Sequence, residues 1–137
     1  MTKEELVSLA MEAMTHAYVP YSGYKVGAAL LTSDGRVYQG CNIENASYTP
    51  TVCAERTAFF KAVYDGVREF SAIAVVGGKN GEITGFFPPC GVCRQVMREF
   101  CGDDFTVHFG GANGEIMTLT LKDILPYSFS ASEYMQD

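Results

Sequence analysis

No basic stripe runs through this 137-residue chain. Lysine and arginine total 10 against 16 aspartates and glutamates, a formal net charge of −6. A protein that tracks a nucleic-acid backbone usually carries a basic face. The densest basic grouping here is a pair, Arg94 and Arg98, at helical spacing. A polyanionic partner is therefore not expected, and a small neutral one is easier to hold. No signal-like start is present either: the chain opens Met1-Thr2-Lys3-Glu4-Glu5, without a basic start and apolar run. No stretch approaches the length of a membrane span. The five cysteines, Cys41, Cys53, Cys90, Cys93 and Cys101, are odd in number, which argues against a disulfide scaffold. A cytoplasmic protein with reduced thiols is the expectation. Charged residues are lean at 19% while aromatics reach 12%, which hints that copies of the chain cover part of its surface.

The patterning predicts one α/β domain spanning residues 1–137. Thr2 and Glu5 form a capping box, and Leu6, Leu9, Ala10, Ala13, Met14 and Ala17 recur at helical spacing. That helix ends before Pro20, and Tyr18, Pro20, Tyr21 and Tyr24 make an aromatic loop. Val26 to Leu31 and Val37 to Ile43 read as a hairpin around Ser33-Asp34-Gly35. After a polar loop from Asn45 to Pro50, a second helix is expected from Val52 to Tyr64, with Pro50 leading in and Gly66 stopping it. Ser71 to Val76 is a continuous apolar run, expected for a buried strand, with a loop from Gly77 to Gly85. A third helix should run from Cys90 to Phe100 and close at Gly102. A second hairpin, Phe105 to Phe109 and Glu115 to Leu121, a short segment near Ile124 and a tail with Phe129 and Tyr134 follow. Helices packed on a mixed sheet result.

Chemistry concentrates in two short stretches. Cys90 and Cys93 lie three residues apart at a helix start, on one face. Cys53 also opens a helix. A helix dipole favours thiolate at such positions. Three thiolates with no evident fourth partner fit a catalytic zinc site, whose open position takes water. Cys101 is about 12 Å further along a helix axis than Cys93, too far to share the metal. Cys41, His16 and His108 are weak alternatives, since a lone cysteine or histidine is usually core or solvated. Glu55, two residues after Cys53, can face a water at the metal without binding the metal, and move protons as base and then acid. Taken alone, Glu55 would merely favour a helix N-terminus. Beside Cys53 and Pro89-Cys90-x-x-Cys93 the catalytic reading is stronger.

A [His/Cys]-x-Glu followed by Pro-Cys-x-x-Cys is the known signature of zinc nucleobase deaminases. Over nearly its whole length the chain resembles the homotetrameric zinc-dependent cytidine deaminases. The stretches that carry the resemblance are Tyr24 to Leu30, Gly40 to Ala46, Cys53 to Ala58, Pro89 to Val96, Leu125-Pro126 and Phe129. One departure is Pro88, where members commonly have serine; it bears on recognition of the amino group, not on the reaction.

The resemblance implies a three-layer fold, helices on a mixed five-stranded sheet, and zinc held by Cys53, Cys90 and Cys93. It implies hydrolytic deamination of cytidine and deoxycytidine to uridine and deoxyuridine plus ammonia, in pyrimidine salvage. Glu55 would protonate N3 of the base and later the departing nitrogen. Arg56 would draw charge off the sulfurs, since three thiolates and Zn²⁺ sum to a net negative site. Substrate contacts would come from Asn42, Glu44, Tyr24, Ala54, Tyr48 and Phe129. Asn42 and Glu44, two apart on one strand face, would grip sugar hydroxyls; the alternative is that they satisfy backbone groups at a strand end. No Lys or Arg accompanies them, which suits a nucleoside without phosphate. Phe129, and with it Tyr48, would cross between subunits of a homotetramer with shared active sites.

Three other readings share parts of this pattern. A thioredoxin-like protein also has Cys-x-x-Cys at a helix start but has no use for Cys53-Ala54-Glu55. A structural zinc module needs a fourth protein ligand. A blasticidin-type deaminase shares the zinc motifs and is disfavoured by Asn42-Ile43-Glu44-Asn45 and by Phe129.

Overall fold

The computed structural model describes residues 1–131; Tyr134 lies outside them. Four helices and five strands follow in the order α1 (Lys3–Met14), β1 (Tyr24–Thr32), β2 (Val37–Cys41), α2 (Ala54–Tyr64), β3 (Phe70–Lys79), α3 (Gly91–Phe100), β4 (Thr106–Gly110), β5 (Ile116–Thr120) and α4 (Leu121–Ile124). The strands form one sheet in the order β2-β1-β3-β4-β5. β3 and β4 are parallel and the other neighbours antiparallel, so the sheet is mixed, as expected.

Alternation along the central strands builds two cores. Val26, Ala28 and Leu30 of β1, with Ile73 and Val75 of β3, pack against Ala54, Ala58, Phe59 and Ala62 of α2 and Met97 of α3. Ala29 of β1, with Ala72, Ala74 and Val76 of β3, faces Leu6, Val7, Ala10 and Met14 of α1 on the opposite side. Both faces of β1 and β3 are thus covered, which explains their nearly unbroken apolar runs. The result is three layers, α1 on one side and α2 with α3 on the other.

Local signals set most element ends. Thr2 and Glu5 form the capping box of α1, and Gly66 adopts φ +88° just after α2, a conformation glycine takes without strain. Several boundaries differ from the sequence expectation. β3 continues through Gly77 and Gly78, which pair with Val26 and Lys25. The chain then folds back so tightly that a Cβ on Gly78 would lie 1.8 Å from the Glu82 carbonyl oxygen; the glycines serve close approach, not a loop. β2 ends at Cys41, two residues early, and Ile43 makes only isolated bridges to Tyr18 and Val52. α2 begins at Ala54, leaving Pro50 in the preceding turn. Extended backbone at Cys101, not Gly102, ends α3.

Two packing features position the site. Gly40 of β2 lies under the start of α2, where a Cβ would come within 2.3 Å of the Ala54 carbonyl oxygen. Across the α2–α3 contact, Phe59 stacks on Phe100 at 6.1 Å and meets Phe70 edge-on at 5.0 Å. Ring pairs at these separations hold orientation as well as bury area. Together they fix where the first turns of α2 and α3 come to rest.

Candidate active site

Cys53 is the N-cap of α2 and Cys90 the N-cap of α3, while Cys93 lies in the first turn of α3. Neither N-cap side chain makes a capping bond to its helix backbone, so both sulfurs are left to face each other. Sγ of Cys90 is 3.6 Å from Sγ of Cys53 and 3.5 Å from Sγ of Cys93. All three sulfurs lie within 4.8 Å of one another. Tetrahedral zinc with Zn–S bonds near 2.3 Å requires sulfurs about 3.8 Å apart, so the cluster has the size and donor softness for zinc. Among the described residues no other Cys, His, Asp or Glu joins this group. Cys41, Cys101, His16 and His108 stand outside it; His108 instead bonds Thr118 at 2.8 Å.

The acidity of the thiols reflects this crowding. Hydrogen bonding with Cys93, then with Arg56, holds the Cys53 thiol down at about 5 against the opposing effect of burial. The same Cys53–Cys93 contact pushes Cys93 up. Nη2 of Arg56 lies 3.4 Å from Sγ of Cys53. Burial works against the Arg56 charge, but the Cys53 and Cys93 thiols outweigh it and raise its pKa. A guanidinium and two helix N-termini therefore face the sulfurs, the counter-charge a three-thiolate centre needs.

Glu55 is buried, 3% exposed. Its Oε1 has no hydrogen-bond partner among the described residues. Burial, opposed by its own backbone N–H and reinforced by the Cys53 charge, pushes the carboxyl up to about 7. An orphaned carboxylate oxygen normally costs stability. Held beside three thiols, with a pKa matched to neutral water, it is suited to carry protons.

The remaining residues singled out from the sequence, apart from the buried Ala54, are partly or fully exposed. Asn42 accepts from the Val26 N–H at 2.9 Å and donates to the Tyr24 carbonyl at 2.8 Å. Glu44 accepts from the backbone N–H groups of Tyr21 and Ser22, each at 3.0 Å, and from the Ser22 hydroxyl. Both therefore satisfy backbone groups beyond the strand end, and each keeps bonding capacity to spare. Tyr24 is exposed, with Nζ of Lys79 5.0 Å above its ring. Ala54 is fully buried. Tyr48, 72% exposed and at φ +61°, meets Tyr21 edge-on at 6.3 Å. Phe129 is 60% exposed, and its carbonyl accepts from Nε2 of Gln95 on α3, which ties the tail to the helix that carries Cys93.

Two supporting residues had no distinct sequence signal. Arg94, grouped above only as a basic pair, bonds the Pro89 carbonyl through Nε and the Ile124 carbonyl through Nη1, each at 2.8 Å. It clamps the turn before Cys90 to α4; its place four residues after Cys90 was the available clue. Thr57 bonds the carbonyls of Cys41 and Cys53 at 3.0 and 3.2 Å, joining β2 to the start of α2. Pro88 is exposed and Pro89 buried in the turn that leads to Cys90.

A mixed-sheet α/β domain with three thiols at two helix N-termini, and a buried carboxylate beside them, defines a metal-assisted hydrolase rather than a closed structural metal knot. A family model described as "Cytidine and deoxycytidylate deaminase zinc-binding region" matches residues 1–109, and the chain belongs to that family. It is 50% identical to a cytidine deaminase of Sporosarcina psychrophila over 97% of this chain and 95% of that one. It is 49% identical to a cytidine deaminase of Halalkalibacterium halodurans, over 97% and 98% of the two chains. The crystal structure of cytidine deaminase from Burkholderia pseudomallei superposes with a TM-score of 0.87 at 48% identity, covering 94% of this chain and 100% of that one.

Proposed function

We propose that this protein is a zinc-dependent cytidine deaminase that hydrolyses cytidine and deoxycytidine to uridine and deoxyuridine with release of ammonia. The observation that carries the reading is the buried Glu55, with an unpaired oxygen, beside the Cys53–Cys90–Cys93 cluster. Cys53, Cys90 and Cys93 hold the metal. Zinc bound there supplies Lewis acidity, which makes water nucleophilic near neutral pH. Glu55 takes the proton of the attacking water and hands it to N3 of the pyrimidine. It then takes the remaining proton from the oxygen added at C4 and delivers it to the exocyclic nitrogen, so that the C4–N bond breaks and ammonia leaves as the C4 carbonyl forms. Water adds and ammonia departs, with no redox change. Arg56 steadies the thiolates. Ala54, at the start of α2, lines the base end, and Tyr24 the rim. Asn42 and Glu44 hold the sugar hydroxyls with their unused bonding capacity.

Ultraviolet monitoring of metal-analysed protein tests the reading against cytidine, deoxycytidine, cytidine monophosphate and blasticidin S. Turnover is expected with the first two nucleosides. The monophosphate should be poor, because Glu44 is acidic and the described residues that line its cavity include no cation. Turnover confined to blasticidin S, or absent with both nucleosides, refutes the assignment. Asn42→Ala and Glu44→Ala should chiefly damage nucleoside handling, since each removes a polar group meant for the sugar.

The single domain is a cytoplasmic homotetramer whose active sites are completed by neighbouring chains. No described helix is long and apolar enough to cross a membrane. Tyr18, Tyr21, Tyr48, Phe60, Tyr64 and Phe129 are all more than half exposed, aromatic area that suits burial between subunits. Phe129 of one chain covers the base bound at another, and Tyr48 crosses the boundary beside it. Mixing decides this. Glu55→Ala and Phe129→Ala proteins, each impaired alone, should regain activity when co-refolded, because some mixed sites then pair an intact Glu55 with a neighbour's intact Phe129. No rescue in verified mixed tetramers, or a monomer in solution, overturns the shared site.

A further inference from the structure

We infer that Ser22 is a positioning residue for sugar recognition: its hydroxyl fixes the Glu44 carboxylate so that one lone pair is left for a sugar hydroxyl. The inference rests on the reading of Glu44 as a sugar ligand. Oε1 of Glu44 accepts two backbone N–H groups, from Tyr21 and Ser22 at 3.0 Å each, which fill its two lone-pair sites. Oε2 accepts the Ser22 hydroxyl, which leaves that oxygen one site. The direction of the Ser22 proton is itself set, because the Tyr24 N–H donates to the Ser22 oxygen at 3.0 Å and occupies its acceptor side.

The loop that carries Ser22 is held from behind. Nζ of Lys79 donates to the Ser22 carbonyl at 2.8 Å, the Asn80 N–H to the Gly23 carbonyl at 2.7 Å, and the Gly23 N–H to the Val19 carbonyl at 3.0 Å. The Glu44 N–H in turn bonds the Tyr18 carbonyl at 2.9 Å. Carboxylate and loop are therefore braced against each other and against β3. They open onto a cavity of about 370 Å³ lined by Tyr21, Ser22, Glu44, Tyr48 and Thr51. Among the described residues no cation lines it, so the one acceptor site that remains reads a neutral hydroxyl donor. Hydrogen bonding from Ser22 also holds the Glu44 carboxyl below its usual range, which keeps it an acceptor. Without the Ser22 hydroxyl the carboxylate gains a torsional freedom that sugar binding must then remove.

Steady-state kinetics on the zinc-loaded tetramer test this with cytidine and with 2′,3′-dideoxycytidine, which lacks both ring hydroxyls. Ser22→Ala should raise KM for cytidine about tenfold, the scale of one charge-assisted hydrogen bond, with kcat within about twofold. The ratio of kcat/KM for cytidine to that for 2′,3′-dideoxycytidine should fall about tenfold. Each preparation is its own control in this ratio, so partial misfolding does not move it. Ser22→Thr, which keeps the hydroxyl, should restore the ratio, and Glu44→Ala should lower it at least as far as Ser22→Ala. If Glu44→Ala lowers the ratio and Ser22→Ala does not, the positioning role is wrong and the sugar site stands. If Glu44→Ala leaves the ratio unchanged, the sugar reading has failed and the inference falls with it.

Discussion

Glu55→Gln protein is expected to bind zinc nearly as well as wild type and to lose at least about a hundredfold in kcat, since general acid–base groups contribute about 10²–10⁴-fold. The amide has almost the volume of the carboxylate, so the pocket between α2 and the thiols should keep its packing. What it lacks is a proton site that fills and empties near neutral pH. Burial pushes the Glu55 carboxyl up to about 7, and its unpaired Oε1 lacks a protein partner that would compete for the proton. Metal analysis and single-turnover kinetics on the same preparation check the expectation. A variant with full zinc and activity within a few-fold of wild type would remove Glu55 from the mechanism.

Cys53→Ala, Cys90→Ala and Cys93→Ala should each lose zinc and activity together. Binding of structural zinc by thiolate sites is worth on the order of 10–16 kcal/mol, and loss of one of three protein ligands forfeits a large part of that. Cys41→Ala and Cys101→Ala should keep both properties. Burial pushes the Cys101 thiol up to about 12, so it stays protonated and is a poor ligand. Cys41 is tied in through its carbonyl, which accepts from Thr57, and that bond survives truncation of the side chain. Zinc determination after exhaustive dialysis reads the difference. Full occupancy in Cys53→Ala protein sinks the ligand set.

The two Cys-bearing stretches were legible because their signals are local. Cys90 and Cys93 share one helical turn, so their 3.5 Å sulfur separation follows from spacing and helix geometry. The capping box at Thr2 and the stop at Gly66 were legible for the same reason. The end of β3 was not: Gly77 and Gly78 look like loop residues, and their place in the sheet depends on partners 51 and 53 positions away, Val26 and Lys25. Asn42 and Glu44 were legible as a polar pair at a strand end. Their bonds to the backbone of residues 21–26 depend on how a distant loop folds back. Ser22 carried no signal for that reason.

The sequence by itself determined the donor chemistry, which thiols open helices and which glutamate follows by two, together with the Thr2 capping box and the stop at Gly66. Each depends on residues within a turn or two of one another. Only the tertiary structure decided that Cys53 comes within 3.6 Å of Cys90 across 37 positions, and that Glu55 is buried. Those facts depend on α2 and α3 sharing one face of β1 and β3, on Gly40 admitting the first turn of α2, and on Phe59 stacking against Phe100. Close approach of two helix ends is a property of packing between surfaces, and no single stretch of chain encodes both surfaces.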